Sequence, residues 1–363
     1  MPAPEDSPTP NPKKPLKVLR KVGQPIVEAT SCRFSPTEPS TENETDAHPI
    51  VAATSCRLSP SDHSAPPRKR SKFLIPGLII FVLLILGAAS YLVYQKLSSD
   101  RLLRQLAAQG LIPVEGGEFA PEAANRNPQG VGSSRRIRIY PFYLAKTELT
   151  QAQWTAVMGD NPSSKLAADL PVVNVNWFGA IEYCNRRSLK EGLEPCYSYA
   201  EFGANPDSWP EGWNQEDVNH SKVSCNWLLS GYRLPSEMEW LFAAGGGSKS
   251  RYYAYSGSNE VDEVAWHKGN SGGTIHAVGT KAANELGFHD MSGNVWEWLW
   301  DIYGEYPHGN SANLYGADSG DSRCGRGGSW NYEAGFCALD KRSNGYPTIT
   351  SGDLGFRICR TMP

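Results

Sequence analysis

The chain has 363 residues, more than one average domain, and a formal net charge of −3. That balance excludes recognition of nucleic acid through bulk charge, because such domains carry a basic face. Eleven Trp, sixteen Tyr and thirty-five Gly describe a loop-heavy fold pinned by large rings, not a helical bundle.

Residues 1–72 are rich in Pro, Ser, Thr and charge and poor in aromatics. They lack the apolar surface needed to offset ordering entropy, so they read as a disordered tail. The tail holds a duplication: Pro25-Ile-Val-Glu-Ala-Thr-Ser-Cys-Arg-Phe-Ser-Pro36 returns as Pro49-Ile-Val-Ala-Ala-Thr-Ser-Cys-Arg-Leu-Ser-Pro60. Two copies are too few for a solenoid. They are a recent duplication inside a tail under little constraint, a bivalent docking peptide, or a pair of Ser-Pro phosphorylation sites at Ser35 and Ser59. Arg68-Lys-Arg-Ser-Lys72 then precedes an uncharged run, Phe73 to Tyr94, of the length that crosses a bilayer as a helix. The expected layout is a transmembrane helix over 73–95, a stalk over 96–110 and an outer domain over 111–363. The basic cluster places the N-terminus in the cytoplasm and the domain outside.

Within that domain, Ile112 to Phe119 reads as strand and turn, and Arg136 to Leu144 as strands on either side of Pro141. Thr150 with Gln153 forms a capping box, and Gly159 ends the helix it opens. Asn176 caps a helix from Trp177 to Lys190, which stops at Gly192. Ser236 with Glu239 opens a third helix, Glu237 to Ala244. Between the second and third helices lies an insertion rich in Trp, Asn and Asp, bracketed by Cys196 and Cys225. Eight cysteines occur: Cys32 and Cys56 before the apolar run, and Cys184, Cys196, Cys225, Cys324, Cys337 and Cys359 after it. Six allow fifteen full pairings, and no C-x-x-C occurs to suggest a zinc ribbon or thioredoxin-type site.

Gly287-Phe-His-Asp-Met-Ser-Gly-Asn-Val-Trp-Glu-Trp298 packs two carboxylates, two glycines and two tryptophans into twelve positions. Two readings compete. One is a tight turn whose carboxylates cap a helix or meet an arginine, with Trp296 and Trp298 as core. The other is an all-oxygen cation site, which suits Ca²⁺ better than Zn²⁺ or copper. From residue types alone the turn ranks first. No phosphate-binding glycine loop, H-E-x-x-H or nucleophile elbow is present. His267, His276 and His289 have irregular spacing and read as core or surface residues. Ser329 is either a functional hydroxyl or a turn residue.

Six runs, in order, resemble the formylglycine-generating enzyme (sulfatase-modifying factor) family. They are Lys146-Thr-Glu-Leu-Thr150, Pro171-Val-Val-Asn-Val-Asn-Trp177, Gly231-Tyr-Arg-Leu-Pro-Ser-Glu-Met-Glu-Trp240, Asp290 to Trp298, Arg326-Gly-Gly-Ser-Trp330 and Leu354-Gly-Phe-Arg357. The resemblance implies an α+β, C-type lectin-like fold with little regular structure. It also implies a Ca²⁺ held by Asp290, the carbonyls of Gly293 and Val295, and Glu297. The family's oxidase converts a substrate cysteine to formylglycine with O₂ and Cu(I). It uses two cysteines in a C-x-x-x-x-C pattern, because soft Cu(I) suits paired thiolates. Here Cys337, Ser329 and Trp296 match catalytic positions, but Tyr332 stands where the first cysteine belongs. Glu333 stands where a basic residue is expected. Another branch of the fold displays varied residues on a fixed frame for binding, and Asn331 to Asp353 falls on that surface.

The resemblance further implies a Cys184–Cys359 disulfide, with Cys359 shifted by one position; Cys196–Cys225 is the second candidate pair. The expected function is binding of a protein, peptide or small-molecule ligand outside the membrane, with a possible inner partner for the tail repeat. The alternative is copper-dependent cysteine oxidation.

Overall fold

The computed structural model describes residues 74–120, 137–305 and 316–362. The tail duplication, the basic cluster at 68–72, Cys32 and Cys56 lie outside the described residues.

Helix α1 (Leu74–Ala108) is unbroken, so the expected span and stalk are one element. Ile79–Ala108 is long and apolar enough to cross a membrane, with mean hydropathy 1.8. Its last turns belong to the folded domain: Leu106 is buried in a core cluster and Leu102 packs against it. Gln109 Nε2 donates to Glu191, Tyr232 Oη donates to Gln109 Oε1, and Lys146 N–H donates to the Gly110 carbonyl.

Strands β1 (Leu111–Val114), β2 (Gly117–Phe119), β3 (Ile137–Ile139) and β4 (Phe142–Ala145) follow. Helix α2 (Gln151–Met158) starts on the Thr150/Gln153 capping box and ends at Gly159, whose φ of 87° is the left-handed stop that glycine adopts freely. Helix α3 (Trp177–Lys190) starts on Asn176, whose side chain accepts from the Gly179 N–H. The insertion carries β5 (Tyr197–Tyr199) and β6 (Val223–Cys225), with short 3₁₀ turns between them. Then come β7 (Tyr232–Arg233), α4 (Glu237–Ala244) on its Ser236/Glu239 box, and a one-turn α5 (Val261–Val264). The chain ends with β8 (Trp296–Ile302), β9 (Arg323–Arg326), β10 (Ser343–Gly345), β11 (Leu354–Phe356) and β12 (Cys359–Thr361).

Two four-stranded sheets form, in the orders β1-β4-β12-β7 and β10-β9-β8-β11. The second positions the site. β8 runs parallel to β11, with Trp296 opposite Leu354, and antiparallel to β9, with Glu297 opposite Arg326. One core cluster gathers α3 and α2 on Trp298 and Phe356; a second gathers α4 on β3, β4 and Leu299. Buried indoles find partners across elements: Trp177 Nε1 donates to the Leu299 carbonyl and Trp298 Nε1 to the Val175 carbonyl. A buried polar tip needs such a partner.

Candidate functional site

The 290–297 stretch begins as a contorted loop and ends as a buried strand. Asp290, Gly293 and Asn294 all take positive φ, at 59°, 80° and 61°. Asp and Asn tolerate that region through local hydrogen bonds, whereas Gly293 is required there. A Cβ on Gly293 would lie 2.4 Å from the Trp266 carbonyl oxygen. The tight approach lets Gly293 N–H donate to the Gly327 carbonyl at 2.7 Å and Asn294 N–H to the Trp266 carbonyl at 2.8 Å.

Three buried carboxylates line this loop. Asp290 Oδ2 accepts from Gly279 N–H at 2.7 Å. Glu297 is saturated: Arg357 donates to both of its oxygens, at 2.6 and 2.7 Å, and Trp240 Nε1 donates at 2.8 Å. Glu148, from the strand-to-helix turn before α2, accepts from Val295 N–H at 2.9 Å and Asn294 Nδ2 at 2.6 Å. Burial pushes the Glu148 carboxyl well up, and the charges of Asp290 and Glu297 push it further. Burial also raises Asp290, against the Gly279 N–H and Arg357. The Arg357 guanidinium offsets all three carboxyls, and it also donates to the Ala145 and His289 carbonyls. The arginine of the turn reading exists, at Glu297. The hard oxygen donors also suit a Ca²⁺ ion. Among the described residues, no three His, Cys, Asp or Glu side chains converge as a metal-holding group. A cation here would need backbone carbonyls as well.

The expected catalytic residues lie on the other side of the same loop. Trp330 N–H donates to the Asn294 carbonyl and Trp296 N–H to the Asp353 carbonyl, both at 2.8 Å. Ser329 Oγ donates to Asp353 Oδ2 at 2.8 Å. Cys337 is buried beneath the glycine pair, and a Cβ on Gly328 would sit 2.8 Å from its Sγ. Burial pushes its thiol up to about 12, with the Ser329 backbone N–H opposing. Tyr332 does not supply a ligand to it. Its ring stands edge-on to Trp296 at 5.6 Å and to Phe336 at 5.4 Å, with Tyr332 40% and Phe336 47% exposed. Below them Trp296 is 5% exposed, and its indole N–H has no partner. Glu333 pairs with Lys268 at 2.8 Å on the rim.

The remaining described cysteines lie elsewhere, and all six are free thiols, so neither expected bridge is present as a bond. Cys324 Sγ contacts Glu237 and Arg342. Cys184, Cys196, Cys225 and Cys359 gather around Arg233, whose Nη1 donates to Cys359 Sγ at 2.9 Å. Ile358 shares the core cluster of Cys184, whereas Cys359 belongs to the other cluster. That is the face change a one-residue shift imposes on a strand. Glu148, Arg357 and Asp353 were not singled out from sequence for a role, although the first two lie inside runs that carried the resemblance. Their roles depend on contacts 24 to 147 positions away along the chain.

This fold is of the formylglycine-generating-enzyme type, within the C-type lectin-like class. The solved structure of Treponema denticola variable protein 1 superposes with a TM-score of 0.60 at 32% identity, over 69% of this chain and 95% of that one. The chain belongs to the sulfatase-modifying factor enzyme 1-like domain family, whose model matches residues 99–362. It is 41% identical over 208 residues to the chaperone protein LppX of Paenibacillus barcinonensis, covering 53% of this chain and 71% of that protein. It is 32% identical over 285 residues to the inactive C-alpha-formylglycine-generating enzyme 2 of Bos taurus, covering 68% of this chain and 86% of that protein.

Proposed function

We propose that this chain is a membrane-anchored binding member of the family, which takes a protein or peptide segment, or a smaller ligand, on the face formed by Tyr332, Phe336 and Trp296. The observation that carries the reading is the pairing of two exposed rings with a buried, unpartnered indole N–H beneath them. The rings offer apolar area at low entropy cost, and the N–H offers one directed donor to a carbonyl or similar acceptor. Around them, the stretch from Asn331 to Asp353 is anchored by Arg342 on Glu237 and by Thr348 on Asp217. Relatives named as an inactive enzyme and as a chaperone agree with binding.

Copper fits poorly. Cu(I) needs paired soft ligands, and here burial pushes the Cys337 thiol up to about 12, while a part-exposed phenol, Tyr332, takes the place of the first cysteine. The second reading, oxidation of a substrate cysteine, rests on Cys337, Ser329 and Trp296 lying together at this face. For calcium, Asp290, the Gly293 and Val295 carbonyls and Glu297 would hold the ion, Glu297 giving up part of its contact with Arg357 and Trp240, with Glu148 bracing the same loop. The ion would supply charge that Arg357 alone does not balance. Helix α1 is read as the anchor, with residues 1–72 cytoplasmic, where their repeat serves an inner partner, and the domain outside.

Two assays on the full chain in detergent test this. Incubation with a Cys-x-Pro-x-Arg peptide, Cu(I) and O₂ yields no aldehyde by mass spectrometry; aldehyde would establish the oxidase. Peptides selected by display on the wild-type domain bind Trp296→Phe about tenfold more weakly, the scale of one hydrogen bond. Equal binding by Trp296→Phe and by Tyr332→Ala would remove this face from recognition.

A further inference from the structure

Behind the Tyr332 face lies a turn built on one imidazole. His267 is buried, with its Nε2 at 2.7 Å from Asp262 Oδ1, and its Nδ1 accepts from Gly269 N–H at 3.1 Å. A ring nitrogen that accepts carries no proton, so the proton sits on Nε2 and the ring is neutral. A Cβ on Gly269 would come within 2.9 Å of His267 Cε1, so only a glycine lets ring and backbone approach this closely. The same turn is closed by Asn270 N–H and Ser271 N–H on the His267 carbonyl, and by His267 N–H on Asn270 Oδ1. Two of its groups reach the binding face. Lys268 N–H donates to the Tyr332 carbonyl and Ser271 Oγ to the Trp330 carbonyl, both at 2.9 Å.

We propose that His267 is a positioning residue for the Tyr332 face and that its protonation frees Tyr332, so that ligand is held near neutral pH and let go in acid. The proposal rests on the reading of that face as the binding face. A proton on Nδ1 points at the Gly269 N–H, and two donors cannot face each other at 3.1 Å, so the turn opens. Lys268 N–H then leaves the Tyr332 carbonyl, and the ring that walls the Trp296 indole loses its support. The charged groups around the imidazole are Asp262 of α5, Lys281 against the Asp262 carbonyl, and the Lys268–Glu333 pair on the rim. Asp262 favours the imidazolium, whereas the Gly269 N–H and the two lysines oppose it. The His267 hydrogen bond holds the Asp262 carboxyl below its usual range, and Lys268 does the same for Glu333, so both stay anionic while an imidazole gains charge. Imidazoles change charge between about pH 5 and 8, above carboxylates and below lysines.

The test uses the full chain in detergent and a peptide selected by display at about pH 7.5, free of His, Asp and Glu so that the probe itself does not titrate. Wild type should bind it about tenfold more weakly at pH 5 than at pH 7.5, the scale of one lost hydrogen bond. His267→Asn keeps an acceptor for the N–H two residues on, as an Asx-turn does, and has no proton to gain, so its affinity should be the same at both values. His267→Ala has no acceptor and should bind weakly at both. Hydrogen exchange across residues 267–273, read by mass spectrometry, should show wild type less protected than His267→Asn at pH 5 and equal to it at pH 7.5. Affinity in wild type that does not change with pH, an equal acid loss in His267→Asn, or equal exchange of the two at pH 5 would overturn the proposal. Equal binding by Tyr332→Ala at pH 7.5 would instead sink the reading of the face, and exchange separates the two failures because it needs no ligand.

Discussion

At Gly293 a single hydrogen atom decides whether the carboxylate loop can close. A methyl there meets the Trp266 backbone, which cannot yield as a flexible side chain would, and φ is already left-handed. Gly293→Ala is expected to cost about 3 kcal/mol or more by chemical denaturation. Arg357 is the second decisive residue. Arg357→Met strips Glu297 of its bidentate partner at full burial, and about 3–5 kcal/mol should be lost, since an uncompensated buried charge remains. Glu237 shows the same physics through pH. Burial opposes its charge, yet Arg326 and Arg342 outweigh burial and hold its carboxyl below the usual range. A depressed carboxylate stabilises the fold above its unfolded value, near pH 4, and that contribution fades as pH falls through the folded value. Acid titration of wild type against Glu237→Gln should therefore show the steepest loss below about pH 4 in wild type alone, from a less stable starting point in the variant.

Among the elements, those with chemical punctuation were legible. The Thr150/Gln153 and Ser236/Glu239 boxes and the Asn176 cap all form, because a cap is a contact within four residues and sequence records it directly. Span and stalk form one continuous helix. Composition changes near Lys96, but nothing there breaks a helix, so α1 continues until Gly110. The seating of α1 was invisible for another reason: Leu106 meets a core assembled from residues 111 to 358, and no local pattern encodes such a partner. Leu106→Ala should cost about 2–5 kcal/mol if that seat is as tight as its burial indicates, measured as the midpoint shift of the detergent-solubilised chain. The candidate site divides similarly. Asp290 and Gly293 stood out by residue type and Cys337 through the resemblance, while Glu148, the brace of the loop, drew no role until distant chain came beside it.

For the whole molecule, the carboxylate surplus predicts a thermal response. Calcium at about a hundred times its dissociation constant adds about 2.7 kcal/mol, or about 5–10 °C in melting midpoint for a domain this size. Asp290→Asn should abolish most of that shift, and an unchanged midpoint in wild type would remove calcium from the account. Magnesium should serve poorly, because it demands a tighter octahedron than a carbonyl-bearing loop provides.

Because α1 enters the core without a joint, the compass bearing of the whole folded domain is written into the phase of one rod. Each residue added between Tyr94 and Leu102 would turn that body by about 100° and lift it by about 1.5 Å. Four added residues would bring it back almost to its starting heading, one turn higher. A partner reached only from one side would then be lost after one or two insertions and regained after four, a periodicity that no flexible tether can produce.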